Sequence, residues 1–213
     1  MVDPKRPWAD EEEPDEEETE EDEEEQGEGP PKGVTERLLE SRTVLLAQPV
    51  TPELGEDIVA RLLLLDDDDS EAPINVYINS PGGSVDTGFA IYDMMRFIEA
   101  PVRCIANGLC ASAGVIILLG APKESRLSLP NSRFMIHQPS GGAHGSVEDI
   151  KIEADEILKI RRKINEQIAA ETGQDFETVE HDTRRNRWLS ADEAIEYGLI
   201  ERIVATKKDL DND

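Results

Sequence analysis

The chain has 213 residues, a length that fits one domain with a single substantial core. Its 48 acidic residues against 22 lysines and arginines give a formal net charge of −26, which argues against nucleic acid or an anionic membrane as the main partner. With no apolar run of membrane-spanning length and no basic-then-apolar leader, the composition predicts a cytoplasmic protein.

The N-terminal segment, residues 1–33, differs in composition from the rest of the chain. It contains sixteen acidic and three basic residues, and therefore about half of the net charge. Its acidic runs repel one another, and it has almost nothing to bury that could offset the entropy of ordering. We expect a disordered acidic tail at 1–33, one domain at 34–206 and a flexible C-terminal tail at 207–213.

From residue 34 onward, short apolar strands alternate with helical patterns. We predict helices at 34–42, 52–65, 85–98, 111–119, 147–171, 175–183 and 190–197, and strands at 44–47, 74–78, 102–106, 126–129, 133–137 and 199–204. In this scheme Asp66–Asp69 form a solvated loop, and Asn107 and Gly108 form a turn between a strand and a helix. Alternating strands and helices imply parallel strands with right-handed crossovers, so the predicted fold class is α/β.

The helix that begins near Val147 is unusually long for a small domain. About 25 residues at 1.5 Å per residue give roughly 37 Å. Its apolar positions exceed a one-sided stripe; they are Ile150, Ile152, Ile157, Leu158, Ile160, Ile164 and Ile168. This surplus indicates that part of the helix is buried against another subunit.

Two glycine-rich junctions, Ser80–Ser84 and Asn107–Gly114, follow predicted strands. Neither has the lysine of a phosphate-binding loop or the three-glycine spacing of a dinucleotide site, so nucleotide binding is disfavoured. Such turns can instead direct backbone amides at an anionic tetrahedral intermediate, with Gly83 and Ala113 as the candidate donors. The alternative is structural: the glycines form a tight turn and Ser112 caps a helix.

Ser112 and His137 are the candidate reactive side chains. Ser112 lies among small residues before a hydrophobic helix, although Cys110 breaks the G-x-S-x-G pattern of the α/β-hydrolases. Of the three histidines, only His137 ends a strand, where it could also be a packed structural residue. The two cysteines, Cys104 and Cys110, are expected to be buried thiols, and we expect neither a metal nor a cofactor.

Several motifs together resemble the Clp protease proteolytic subunit family, ClpP. They include Tyr77–Ser84, Gly108–Gly114, Leu129–Arg133, Met135–Pro139, Leu189–Ala191 and Glu196–Leu199, and the similarity covers nearly all of 34–206. The resemblance implies a ClpP/crotonase fold with repeated β-β-α units and a protruding handle helix, which begins here at Val147. It implies a serine endopeptidase whose nucleophile is Ser112 and whose general base is His137.

The resemblance also implies the surroundings of these two residues. The oxyanion donors would be the backbone amides of Gly83 and Ala113. Two heptameric rings would stack around a chamber, and an AAA+ unfoldase of the ClpX, ClpA or ClpC type would deliver unfolded polypeptides. That unfoldase would dock at Tyr77 and Phe97.

Two features depart from the family pattern. Asn186 occupies the position of the triad aspartate, and Arg184 replaces an acid two residues earlier. An asparagine oxygen can accept a hydrogen bond from the histidine Nδ1–H, but its amide can instead donate to Nδ1, and it lacks the charge that stabilises imidazolium. Asp182 is an alternative third member of the triad. An acidic tail stands in place of the short apolar N-terminal segment with which family members contact the unfoldase.

Three functional hypotheses follow from the sequence. The first is a Ser-His-Asn peptidase with low intrinsic activity, raised by an unfoldase or by a complete paralogue. The second is an architectural or regulatory subunit of a mixed double ring. The third is a crotonase-like acyl-CoA enzyme, which the contexts of Ser112 and His137 disfavour.

Overall fold

A single sheet organises the part of the chain that the computed structural model describes, residues 33–142 and 144–210. Its strands are β1 (Thr43–Leu46), β2 (Ile74–Ser80), β3 (Val102–Ala111), β4 (Arg126–Ser128), β5 (Arg133–Ile136), β6 (Arg187–Ser190) and β7 (Arg202–Ile203). The predicted acidic tail lies outside the described residues except for Gly33.

The strand order shows a mostly parallel sheet. It runs β1-β2-β3-β4-β7, while β5 pairs with β3 in parallel and β6 pairs with β5 antiparallel. The α/β prediction is therefore confirmed. The antiparallel strand β6 was not among the predicted strands, because four residues with one buried side chain, Leu189, give little pattern.

Helices connect the strands and cover the sheet. They are α1 (Val34–Glu40), α2 (Pro52–Asp68), α3 (Val85–Phe97), α4 (Ala113–Leu118), α5 (Val147–Thr172), α6 (Phe176–Asp182) and α7 (Ala191–Tyr197). The main core lies between one sheet face and α2, α3, α4 and the C-terminal part of α5. None of the described helices is both long enough and apolar enough to cross a membrane.

The predicted turn at Asn107 and Gly108 is wrong, because β3 continues through it to Ala111. Gly108 bends the strand at a φ of +104°, a value that favours glycine. The amide of Gly108 donates to Ser132 Oγ over 3.2 Å, so the bend leaves this donor satisfied. Before the bend β3 pairs with β4, and after it with β5.

The predicted loop at Asp66–Asp69 is also wrong for its first three residues, which extend α2 to Asp68. Arg42 stabilises this end of the helix by donating to the carbonyl oxygens of Leu65 and Asp69 over 2.9 and 2.7 Å. The Asp66 carboxylate accepts hydrogen bonds from two backbone amides that follow α3. These contacts are distant in sequence, which is why the charge pattern alone indicates a loop.

Arg126 at the start of β4 is 1% exposed and carries a charge into the core. Its guanidinium donates to the carbonyl oxygens of Leu119 and Ala121 and forms an ion pair with Glu171 of α5. Glu171 also accepts hydrogen bonds from Arg96 and from the Tyr92 hydroxyl, at 2.6 and 2.7 Å. The end of α5 is thereby joined to α3, α4 and β4.

The exposed half of α5 matches the surplus of apolar residues in its sequence. Val147 is 81% exposed, Ile152 65% and Leu158 57%, whereas Ile164 and Ile168 are buried in the core. Burial against another subunit stays a prediction for this half of the helix.

The C-terminal segment differs from its prediction. Lys207–Leu210, within the predicted flexible tail, form a 3-10 helix, and Leu210 is buried. The predicted strand at 199–204 is reduced to β7.

Cys104 and Cys110 are free, fully buried thiols, as predicted, and burial raises the pKa of Cys104 to about 12.

Candidate active site

Ser112 lies between the end of β3 and the first residue of α4, in a strained conformation. Its φ of +55° is unusual for a residue with a side chain and costs on the order of 1–3 kcal/mol. Its amide donates to the carbonyl oxygen of Met135 on β5 over 2.8 Å, which holds the turn in place. The hydroxyl therefore belongs to a residue that stands directly between the end of β3 and the buried helix α4.

The glycine turn after β2 packs directly against Ser112. A Cβ on Gly82 would come within 2.5 Å of the Ser112 Cβ, and a Cβ on Gly83 would come within 2.3 Å of the Val50 carbonyl oxygen. Both glycines also have positive φ values. Only glycine allows this approach, so these residues do more than form a tight turn.

His137 and Asn186 are brought together by the antiparallel pair β5–β6. The register pairs Ile136 with Arg187, so His137 and Asn186 follow as the next opposed residues. The Ser112 hydroxyl donates to His137 Nε2 over 2.8 Å, and His137 Nδ1–H donates to Asn186 Oδ1 over 3.2 Å. This is the tautomer that leaves Nε2 free to accept a proton.

Asp182 has other partners and does not contact His137. Its carboxylate forms an ion pair with Arg187 and accepts a hydrogen bond from the Tyr197 hydroxyl at 3.2 Å. Burial acts to raise the pKa of Asp182, but the bonds from Arg187 and His181 outweigh it and hold the pKa below its ordinary value. The carboxylate anchors Arg187 and α7. Of the two candidates for the partner of His137 Nδ1, the structure therefore has Asn186 and not Asp182.

The candidate oxyanion donors lie on the two segments that meet at Ser112. The Ala113 amide is at the first position of α4 and so has no acceptor within the helix. Within residues 33–142 and 144–210, the Gly83 amide makes no hydrogen bond to a protein acceptor. Both groups are therefore available to a ligand.

A narrow apolar cavity of about 20 Å³ adjoins Ser112 and His137. Its walls include Val85, Val115, Ile116, Ile136, Ile164 and Ile168. Apolar walls favour an apolar group in any molecule that binds there. The small volume favours a small side chain over an aromatic ring.

Gln138 is a residue of the site that the sequence did not single out. Its backbone amide donates to the Thr183 carbonyl oxygen over 2.6 Å, and its side-chain Nε2 donates to the Arg184 carbonyl oxygen over 3.0 Å. Both acceptors precede Asn186. Gln138, which directly follows His137, therefore holds the segment that carries Asn186. Only the adjacency of Gln138 to His137 could have pointed to it.

Tyr77 and Phe97 are the residues predicted to dock the unfoldase. They lie away from Ser112, His137 and Asn186. Phe97 ends α3 and is 77% exposed, whereas Tyr77 on β2 is partly buried against a small cluster on the second sheet face. Leu45, which is opposite Tyr77 in the β1–β2 register, is 47% exposed. These positions provide exposed apolar surface, and docking there stays a prediction.

Comparison with known proteins finds Clp proteases that are similar to this chain in sequence. A family model described as Clp protease matches residues 26–207. The ATP-dependent Clp protease proteolytic subunit 2 of Treponema denticola is 50% identical over 175 residues, covering 82% of this chain and 88% of that protein. Its counterpart in Treponema pallidum is 46% identical, with the same coverage.

A solved structure is similar as well. An Asn-to-Asp mutant of ClpP1 from Listeria monocytogenes matches with a TM-score of 0.77 and 44% identity, covering 83% of this chain and 99% of that chain. The predicted resemblance and the predicted fold are thus confirmed. The chain belongs to the Clp protease family, and it is a peptidase subunit with a ClpP fold.

Proposed function

We propose that the chain is a serine endopeptidase subunit in which Ser112, His137 and Asn186 act as the triad. The observation that carries this proposal is the continuous hydrogen-bonded path from the Ser112 hydroxyl through His137 to Asn186 Oδ1. His137 would take the hydroxyl proton as the oxygen attacks a peptide carbonyl, and would then give it to the leaving amine. The amides of Gly83 and Ala113 would stabilise the oxyanion, and water would hydrolyse the acyl-enzyme.

The proposed substrates are unfolded polypeptides cut next to small apolar residues. The apolar cavity beside Ser112 supports this preference. The proposed assembly is two stacked heptameric rings supplied by an AAA+ unfoldase, with the exposed half of α5 joining the rings. Four apolar side chains left exposed on that half support a subunit contact; they are Val147, Ile150, Ile152 and Leu158.

A second candidate function is favoured by the absence of charge at position 186. Asn186 can fix the histidine tautomer but cannot stabilise the imidazolium that forms during catalysis. The chain would then be a weakened or regulatory subunit that works in a mixed ring with a paralogue.

Labelling of Ser112 by a fluorophosphonate tests the proposed function. We expect the purified chain, alone or mixed with a ClpP paralogue, to be labelled at Ser112 and to cleave peptides with a small apolar residue before the cut. Ser112→Ala should abolish both signals without changing the assembly seen by native mass spectrometry. Absence of label in both states would favour the architectural function.

Gln138→Ala is expected to lower the turnover number about three- to tenfold with little change in KM. The reason is that a lost hydrogen bond is worth about 0.5–1.5 kcal/mol, and here it would loosen the segment that holds Asn186. Gln174→Ala is the matched control, because its side chain also donates to a carbonyl oxygen, that of Tyr197, over 3.2 Å. Equal losses in both variants would contradict the positioning role of Gln138.

A further inference from the structure

Ser80 is the last residue of β2, and its side chain is fully buried. Its hydroxyl donates to the Gln48 carbonyl oxygen over 2.7 Å and accepts a hydrogen bond from the Gly82 amide over 3.2 Å. A buried hydroxyl is costly unless it is hydrogen-bonded, and here it has both an acceptor and a donor as partners. Ser80 therefore joins the glycine turn beside Ser112 to the segment that follows β1.

Val50, on that same segment, holds the glycine turn through its backbone. Its amide donates to the Gly82 carbonyl oxygen over 2.9 Å, and its carbonyl oxygen accepts a hydrogen bond from the Ser84 amide over 2.8 Å. These two bonds form a parallel bridge in which Val50 is opposite Gly83. The Val50 side chain is buried in the core, which fixes this stretch of backbone.

The bond from Val50 determines the direction of the Gly83 amide. The Gly82 carbonyl and the Gly83 N–H belong to one planar trans peptide unit, in which they point in opposite directions. Because the carbonyl faces Val50, the Gly83 N–H faces away from Val50. On its other side the turn packs against Ser112 and Ala113, since a Cβ on Gly82 would come within 2.9 Å of the Ala113 nitrogen.

The second candidate oxyanion donor is fixed by a similar bond. The Ala113 N–H shares its peptide unit with the Ser112 carbonyl, whose oxygen accepts a hydrogen bond from the Val115 amide over 2.9 Å. This bond lies at the start of α4, so the helix itself holds the Ala113 amide. The Gly83 amide precedes its helix, α3, and depends instead on the contacts that the turn makes with residues 48–50.

We propose that Ser80 is a positioning residue for the oxyanion site. Its hydroxyl holds the Gly82 amide, while Val50 holds the carbonyl of the same residue. The Gly83 N–H is thereby aimed at the oxygen that becomes negative during attack by Ser112. An oxyanion donor acts by being in place before the charge forms, so a rotation of its peptide unit weakens it. This inference rests on the proposed peptidase function.

Ser80→Ala tests the proposal, because it leaves the Gly82 amide and the Gln48 carbonyl without their partner. We expect the turnover number for peptide hydrolysis to fall about ten- to thirtyfold, which is less than the factor of about 10²–10³ for loss of a whole oxyanion donor. KM should change less than about twofold, since the weakened interaction is made in the transition state. Ser80→Cys, whose thiol forms weaker hydrogen bonds, should lower the turnover number about threefold.

Ser132→Ala is the matched control. The buried Ser132 hydroxyl also bonds a glycine amide and a carbonyl oxygen, those of Gly108 and Ala106, over 3.2 and 2.9 Å. It lies before β5, at the opposite end of that strand from His137. Both alanine variants should lower the denaturant midpoint similarly, but Ser132→Ala should leave the turnover number unchanged. Equal falls in turnover number for the two variants would overturn the positioning role.

Inhibition by a peptide boronic acid provides a second measurement. A bond forms from Ser112 Oγ to boron, the hydroxyl proton passes to His137, and the tetrahedral adduct carries an oxygen at the oxyanion position. We expect Ser80→Ala to weaken this inhibition about tenfold, because the adduct resembles the transition state. Undiminished inhibition of an assembled variant that has lost turnover would overturn the assignment to the oxyanion site.

The outcomes separate this inference from the proposed function. No cleavage and no fluorophosphonate label on Ser112 in the unaltered protein would refute the peptidase itself. Cleavage by the unaltered protein, with an undiminished turnover number in Ser80→Ala, would refute only the positioning role. If native mass spectrometry shows that Ser80→Ala does not assemble, Ser80→Cys replaces it in the comparison, and an undiminished turnover number there would equally overturn the role.

Discussion

Replacing Asn186 with aspartate is expected to raise the turnover number for peptide hydrolysis about ten- to hundredfold. A carboxylate would stabilise the imidazolium form of His137 in the transition state, which the neutral amide does not. The expected gain is smaller than the factor of about 10⁴ that a serine protease loses in the reverse change, because Asn186 Oδ1 already accepts the Nδ1–H bond. It corresponds to about 1.4–2.7 kcal/mol of activation free energy.

Steady-state hydrolysis and the rate of fluorophosphonate labelling would both measure this gain. Asn131→Asp is the matched control, since it adds the same charge at an exposed position before β5, at the opposite end of that strand from His137. Native mass spectrometry should show the same assembly for both variants. An unchanged turnover number for Asn186→Asp in an intact particle would mean that Asn186 does not limit the triad.

Glu171→Gln is expected to lower the free energy of unfolding by about 3 kcal/mol. The change would leave the Arg126 guanidinium, which is 1% exposed, without its counter-charge in the core. Breaking a buried ion pair by removing one partner leaves an uncompensated charge, which costs about 3–5 kcal/mol, and the remaining hydrogen bonds of the glutamine place the effect at the lower end.

Glu166→Gln on the same helix is the matched control. Its partner Arg162 is 74% exposed, so loss of this ion pair should lower the free energy of unfolding by less than about 1 kcal/mol. Denaturant unfolding at one fixed protein concentration would compare the two variants, because assembly also contributes to stability. Equal midpoints for the two variants would show that Arg126 tolerates the loss of its counter-charge.

The grouping of the three candidate side chains could be predicted because each lies in a short local motif. Ser112, His137 and Asn186 are separated along the chain, yet the sequence around each is distinctive. What could not be predicted are contacts made between distant segments. The β5–β6 ladder and the bonds of Gln138 to the segment before Asn186 depend on backbone atoms, which leave no mark in the sequence.

The same limit explains the errors in the predicted elements. Four successive aspartates indicate a loop when they are considered alone, but Arg42 provides donors for the carbonyl oxygens at the end of α2. Asn107 and Gly108 are a pair that is typical of turns. Here, however, the Gly108 amide donates a hydrogen bond to Ser132 Oγ, and β5 continues the pairing of β3. In both places a tertiary contact outweighs the local preference.

The pairing of β6 with β5 has a consequence for how the site forms during folding. Side chains alternate across a strand, so a slip of one residue would turn Leu189 toward solvent and Trp188 toward the core. The same slip would place a different residue opposite His137. The burial of Leu189, worth about 1.5–3 kcal/mol, therefore selects the one register in which Asn186 meets His137.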